Sequence, residues 1–263
     1  MPGQGQLHFR QHGGGASGLG HPALVLVHGA GGSSLHWPPQ LRRLSGEVVY
    51  SLDLPGHAQS AGDPEKSIER YAQRLIAWLD CLELETVVLV GHSMGGAISL
   101  TVSIEAPHRI KGLVLVASGA KLRVHPQILA LTDNETSYQQ AVEWITQWAF
   151  SDQAEARMVE LAQKRMAEVP PEVVHADFLA CDHFDIMERL SEISVPTLVL
   201  CGIEDQLTPV SYSQYLVDHI PQARLVVIEG AGHMVMLEKP VEVVRQIQGF
   251  IRDWVGKGLM GRG

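Results

Sequence analysis

The sequence predicts an α/β fold: a mostly parallel central sheet flanked by helices, with an all-helical segment inserted before the last two strands. Two observations carry that expectation. Uncharged or nearly uncharged runs rich in Val, Leu and Ile recur at 23–27, 48–52, 86–90, 112–117, 196–202 and 223–228. They are apolar with little alternation, as in strands buried on both faces. Segments with apolar residues at helical spacing lie between them, and strand–helix alternation means a parallel sheet wrapped by helices. A chain of 263 residues accommodates this as one α/β unit.

In chain order, residues 7–11 read as a candidate edge strand and 12–20 as a mobile glycine-rich turn. The strand at 23–27 runs into His28-Gly29-Ala30-Gly31-Gly32, and 40–44 forms a short helical piece. The strand at 48–52 ends in Asp53-Leu54-Pro55-Gly56-His57, which is turn chemistry. Ile68, Ala72, Leu75, Ile76, Leu79 and Leu82 mark an amphipathic helix, with Arg70, Gln73, Arg74 and Asp80 on its other face. The helix after the 86–90 strand stops at Pro107. Residues 209–219 and 241–254 read as helices, each opened by a proline near its first turn.

The segment 121–190 breaks this rhythm. It has no convincing buried strand and carries helical patterns with Trp144, Trp148, Phe150, Met158, Met166, Phe178 and Phe184. It is expected to be a helical lid over a core made of 1–120 and 191–263. Any one of these aromatic and methionine side chains is best explained by the lid's own packing. Collectively, some are expected to face a largely apolar cleft.

Composition narrows the function. A formal charge of −9 argues against binding nucleic acid phosphates. Cys81, Cys181 and Cys201 are far apart and odd in number, which argues against a disulfide framework. No basic start with an apolar core opens the chain, and no apolar run approaches a membrane span, so a cytoplasmic protein is expected. The thirteen histidines form no H-E-x-x-H or H-x-x-H pair, so no metal and no cofactor are expected.

The chemistry centres on Gly91-His92-Ser93-Met94-Gly95, a G-x-S-x-G between a predicted strand and a predicted helix. Glycines relieve crowding in so sharp a turn, and the serine hydroxyl stands out at the sheet end. A serine nucleophile needs a general base, and the base needs an acid to fix its tautomer. Asp205 follows the 196–202 strand, with Glu204 its near rival and expected to face solvent. His233 follows the last strand in Gly230-Ala231-Gly232-His233. In parallel strands, all three residues leave the same sheet edge, in the order Ser, Asp, His.

With these motifs on the page, the chain resembles an α/β-hydrolase of the small, lid-bearing serine esterase type over nearly its whole length. The matching features are His28-Gly29-Ala30, the turn from Asp53 to Ser60, Gly91 to Gly96, Gly202 through Asp205 to Pro209, and Gly230 to His233. The resemblance implies Ser93 as nucleophile, His233 as base then acid, and Asp205 as orienter. It implies an oxyanion hole from the N–H groups of Ala30 and Met94, with Gly31 as a substitute for Ala30. Two departures stand out. Ala58 occupies a turn position where the family has glycine, and the residues before Ala23 are too few for a full pair of leading strands.

Candidate pocket residues are Gly31, Trp37, His92, Trp144 and Met234; His28 and His57 are expected to hold turns in place. The expected activity is cleavage of a small carboxylic ester or lactone through an acyl-enzyme, by a monomer or homodimer. Two alternatives keep the same triad: a carbon–carbon bond hydrolase or lyase, and a small-molecule sensor with residual hydrolase activity.

Overall fold

The computed structural model describes residues 7–13 and 22–255. The described chain runs β1 (Phe9–His12), β2 (Ala23–Val27), α1 (Pro39–Arg42), β3 (Val49–Leu52), α2 (Ile68–Cys81), β4 (Val87–His92), α3 (Met94–Glu105) and β5 (Ile110–Val116). Then come α4 (Pro126–Thr132), α5 (Tyr138–Ala149), α6 (Ala156–Ala167), α7 (Pro171–His183), β6 (Thr197–Gly202), α8 (Val210–His219), β7 (Ala223–Ile228), α9 (Val235–Glu238) and α10 (Pro240–Phe250). Most of the glycine-rich turn expected at 12–20 lies outside the described residues. Among them no helix is long and apolar enough to cross a membrane.

The strands form one seven-stranded sheet in the order β1-β3-β2-β4-β5-β6-β7. Six strands are parallel; β1 pairs antiparallel with β3 and closes one edge. A single leading strand is therefore what precedes β2 among the described residues.

The apolar runs lack charge because alternate residues enter two different cores. Val25, Val27, Leu89, Leu113, Leu115 and Val199 pack under α2 and α3. Leu24, Leu26, Val88, Val90, Val114, Val116, Leu198 and Leu200 pack on the opposite face, with Val243, Ile247 and Phe250 of α10. Ser67 caps α2 by accepting from the Arg70 N–H, and the helix buries Ile68, Tyr71, Ala72, Leu75, Trp78 and Leu79 on one stripe. In α3, ten residues from Met94 to Ser103 are buried, so no polar face was available for periodicity to mark. Its Ser99, Thr101 and Ser103 hydroxyls donate back to carbonyls four residues earlier, which satisfies them inside the core.

The segment between β5 and β6 is helical, with one isolated bridge between Lys121 and Asp185. That bridge, the Lys121–Asp185 ion pair and the Ile186 N–H donating to the Ala120 carbonyl bring its two ends together. It has a small core of its own, built from Ile128, Tyr138, Ala141, Val142, Ile145 and Val174. Phe184 does not belong to that core; it is buried against the sheet's own cluster.

Candidate active site

Parallel pairing puts the carboxyl ends of β2, β4, β6 and β7 on one edge. The chain order reverses there, between β2 and β4, which is where open α/β sheets form their clefts. Ser93 follows β4 at φ 52°, ψ −117°, a region that non-glycine residues rarely occupy. Its neighbours hold it there. The Ser93 N–H donates to the Val116 carbonyl at 2.9 Å, and the Ser118 hydroxyl donates to the Ser93 carbonyl at 2.8 Å. A β-carbon on Gly95 would lie 2.1 Å from the Val27 carbonyl oxygen, and one on Gly91 would lie 2.2 Å from that of Gly95. Only glycine fits at either place, so the turn needs both.

His233 is buried, and its Nδ1 lies 3.0 Å from Asp205 Oδ2 and 3.2 Å from Oδ1. Asp205 also accepts from the N–H groups of Leu207 and Thr208 and from the Thr208 hydroxyl. Burial pushes the Asp205 carboxyl up, but the charge and hydrogen bond of His233 and the Thr208 bonds outweigh it and hold the carboxyl below its usual range. Glu204 accepts instead from the Asp152 N–H, so the two neighbouring acids serve different loops. The His233 loop is pinned by Glu238, which accepts from the Gly232 and Ser151 N–H groups and the Ser151 hydroxyl.

Ser93 and His233 both line a cavity of about 760 Å³. Its walls combine Gly29, Ala30, Trp37 and His92 from the sheet side with Trp148, Phe150, Met158, Met166 and Phe178 from the helical segment. Among the described residues, the N–H groups of Ala30 and Met94 donate to no other group of the chain.

The expected pocket residues divide. Trp37, His92 and Met234 line the cavity. Gly31 and Trp144 do not. Trp144 packs against Trp148, with ring centroids 5.6 Å apart, and Trp148 takes the lining position, one helical turn further on. The Gly31 N–H donates to Asp177 Oδ2 at 2.8 Å, so it is committed elsewhere and cannot stand in for Ala30.

That bond belongs to a network the sequence reading missed. Asp177, on α7, is fully buried. Its Oδ1 accepts from the Tyr71 hydroxyl at 2.6 Å, and its Oδ2 lies 2.8 Å from His57 Nε2. His57 Nδ1 lies 3.0 Å from the Pro55 carbonyl, which can only accept. Both His57 nitrogens therefore face acceptors, and the ring is satisfied only as an imidazolium. Burial alone would lower the His57 pKa; the charge and hydrogen bond of Asp177, aided by the Pro55 carbonyl, outweigh it and raise the pKa. A signal for Asp177 was present: it shares a buried stripe with Val173, Val174, Ala176, Ala180 and Cys181.

Burial keeps His28 and His92 neutral. His28 Nε2 accepts from the Leu54 N–H while Nδ1 faces the Gly29 carbonyl, and burial followed by the His57 charge pushes its pKa well down. His92 Nε2 donates to the His233 carbonyl, and burial followed by His233 does the same. Asp53, just after β3, accepts from the Ser34 N–H at 2.7 Å and so ties the turn after β3 to the loop after β2. Ala58 keeps a positive φ of 44°, the conformation for which glycine is the easier residue.

The His57 assignment makes a prediction. At neutral pH, nitrogen NMR shifts should report both ring nitrogens of His57 protonated; a single-proton shift pattern contradicts the network. A raised folded pKa means that the folded form binds this proton more tightly. Its stabilising contribution is therefore fully present below 6.5, the unperturbed value, and is lost as pH rises through the raised folded value.

A family model described as the alpha/beta hydrolase family matches residues 24–246. A dihydrolipoyllysine-residue acetyltransferase component of an acetoin cleaving system from Pseudomonas putida is 31% identical over 89% of this chain; the chain spans 65% of that protein's length. A protein of Variovorax paradoxus, provisionally named carbamate hydrolase, is 32% identical over 86% of this chain and 89% of its own length. A solved structure of a thermophilic esterase is 35% identical, with a TM-score of 0.79 over 89% of this chain and 90% of its own.

Proposed function

From the premise that the chain belongs to the alpha/beta hydrolase family, we propose that it is a serine hydrolase of small carboxylic esters or lactones, acting through an acyl-enzyme. The observation that carries this reading is the His233–Asp205 pair at 3.0 Å, with His233 and Ser93 lining one largely apolar cavity. The likeness to an esterase supports the ester class.

In this reading Ser93 Oγ attacks the carbonyl carbon as His233 Nε2 takes its proton. Asp205 keeps Nδ1 protonated and facing it, and stabilises the imidazolium that forms. The developing oxyanion takes hydrogen bonds from the Ala30 and Met94 N–H groups; the N-terminus of α3 adds favourable dipole charge. His233 then returns the proton to the leaving alkoxide. The alcohol departs, or stays tethered in a lactone. His233 next deprotonates water, which attacks the acyl carbon; Ser93 recovers its proton and the acid leaves. The net reaction is ester plus water to acid plus alcohol. The helical segment acts as a lid that shields the acyl-enzyme from bulk water.

The test is a panel of methyl esters, lactones and a carbamate, together with a fluorophosphonate that labels activated serines. Ester turnover with labelling at Ser93 is the expected result. A folded protein that turns over nothing on the panel and leaves Ser93 unlabelled would overturn the proposal. Carbamate turnover far above ester turnover would move the substrate class toward that of the Variovorax relative. Within the triad, Asp205→Asn should lower kcat by about 10⁴-fold. Glu204→Gln should change it little, because among the described residues the Glu204 carboxylate bonds the Asp152 N–H and not His233; the reverse ranking reassigns the acid.

A further inference from the structure

One cavity-lining position on α6 breaks the pattern of its neighbours. Met158, Leu161, Ala162, Arg165 and Met166 all line the cavity, and their spacing marks one helical face. No residue of α6 is buried and Leu161 is exposed, but four of the five are apolar. Arg165 is the exception. Among the described residues it has no ion pair and no hydrogen bond. A guanidinium on an otherwise apolar, cavity-lining face makes no contact that accounts for it structurally, and such exceptions gather at functional positions.

At the end of α1 stands a second guanidinium. Arg42 lines the same space and donates from Nε to the Trp37 carbonyl at 2.9 Å, which fixes the group. Burial, followed by the charges of Arg43, Arg10 and Arg165, holds its pKa below the usual arginine range, and no carboxylate is among the groups acting on it. Arg165 therefore stands within electrostatic reach of Arg42. Next to both, His36 is pushed down to about 4 by burial and then by Arg165, so it neither adds to nor offsets the charge. Arg123 also lines the cavity, and its charge acts on Asp185, whose carboxylate is ion-paired with Lys121.

Among the described residues no aspartate or glutamate lines the cavity, although the chain carries a net charge of −9. Two mutually repelling cations lining an apolar pocket in an acidic protein, with no counter-charge in its wall among the described residues, form a local positive field. Such a field draws in and orients an anion. Arginine also matches a carboxylate in a bidentate fork, which adds geometry to the charge.

We infer that the substrate is an ester or lactone bearing an anionic group, in the simplest case a carboxylate, which Arg165 and Arg42 receive while the reacting carbonyl sits at Ser93. The inference rests on the hydrolase reading above and names the substrate class for that same site. The apolar stripe of α6 takes the intervening chain, and the anion fixes which end of the molecule enters first.

The experiment compares near-isosteric pairs: monomethyl succinate against methyl butyrate, and monomethyl glutarate against methyl valerate, each followed by acid release. The wild-type protein should favour the anionic member by about tenfold in kcat/KM, the size of one charge-assisted contact. Arg165→Gln should lower kcat/KM for the anionic ester about tenfold more than for its neutral partner, mainly through KM. Arg165→Glu should invert the preference, and high salt should shrink the wild-type preference by screening it. Arg165 is exposed at the cavity mouth, so these variants are expected to fold, which their melting temperatures check. Turnover of both partners with no anionic preference, or equal losses on both in Arg165→Gln, overturns the inference and leaves the hydrolase reading standing. No turnover of any ester overturns both.

Discussion

Ser93→Ala should yield a folded protein whose ester turnover has fallen by on the order of 10⁴-fold or more. The loss is large because the hydroxyl is the one protein group in the proposed mechanism that bonds to the acyl carbon. The fold should survive because alanine keeps the β-carbon that the turn already accommodates. The same residue carries backbone strain, since φ 52°, ψ −117° is costly for any side chain with a β-carbon. Ser93→Gly should therefore be equally inactive but more stable than Ser93→Ala by about 1 kcal/mol. At this chain length that corresponds to roughly 2–4 °C in melting temperature. Retention of turnover within tenfold of wild type by Ser93→Ala would remove the nucleophile from the mechanism. Equal melting temperatures for the alanine and glycine variants would remove the strain.

Asp177→Leu should cost about 3–5 kcal/mol, the range for deleting one partner of a buried ion pair. The side chain is fully buried and is acceptor to three donors, one each from Gly31, Tyr71 and His57. Leucine strands all three, and an unpaired imidazolium in the interior is the worst of them. Adding His57→Leu should recover only part of the loss, because the Gly31 N–H and the Tyr71 hydroxyl still lack an acceptor. Urea denaturation at neutral pH measures both effects. Catalysis should suffer separately. The Gly31 bond orients the loop that carries the Ala30 N–H, so kcat should fall while KM moves little, and affinity for a boronic acid that mimics the tetrahedral intermediate should fall with it. A single variant within 1 kcal/mol of wild type, or a loss confined to KM, contradicts this account.

The elements that bury apolar surface on both sides were legible in the sequence, because a strand sandwiched between helices has little room for charge. β2, β4, β5 and β6 came from that rule alone; β7, a half-buried edge strand, came from its apolar run despite Arg224. The residues proposed as the triad stand out in the sequence by their order along the chain: G-x-S-x-G, then an acid after one strand, then a histidine after the next. The helical insertion was legible through the absence of strands, but not its internal assignments. Trp144 and Trp148 lie four residues apart on one helix, and nothing in the periodicity says which of them meets the cavity and which backs it. α9 is too short to carry a period. Asp177 and Arg165 were missed for a common reason. Each is a charged residue on an otherwise apolar stripe, and the stripe itself was what the reading sought. In Asp177 the exception marks a buried partner 106 to 146 residues away in sequence, which no local pattern encodes.

The location of Asp177 also bears on engineering and on descent. The carboxylate that steadies the loop after β2 is supplied by the inserted helices, far along the chain from that loop. A cap of this kind is not an interchangeable accessory. Transplanting one from a relative to broaden specificity would discard the strut along with the old pocket, unless the donor brings an equivalent acid to the same spot. Chimeras that fail for this reason would look like misfits of shape, when the missing part is a single anion.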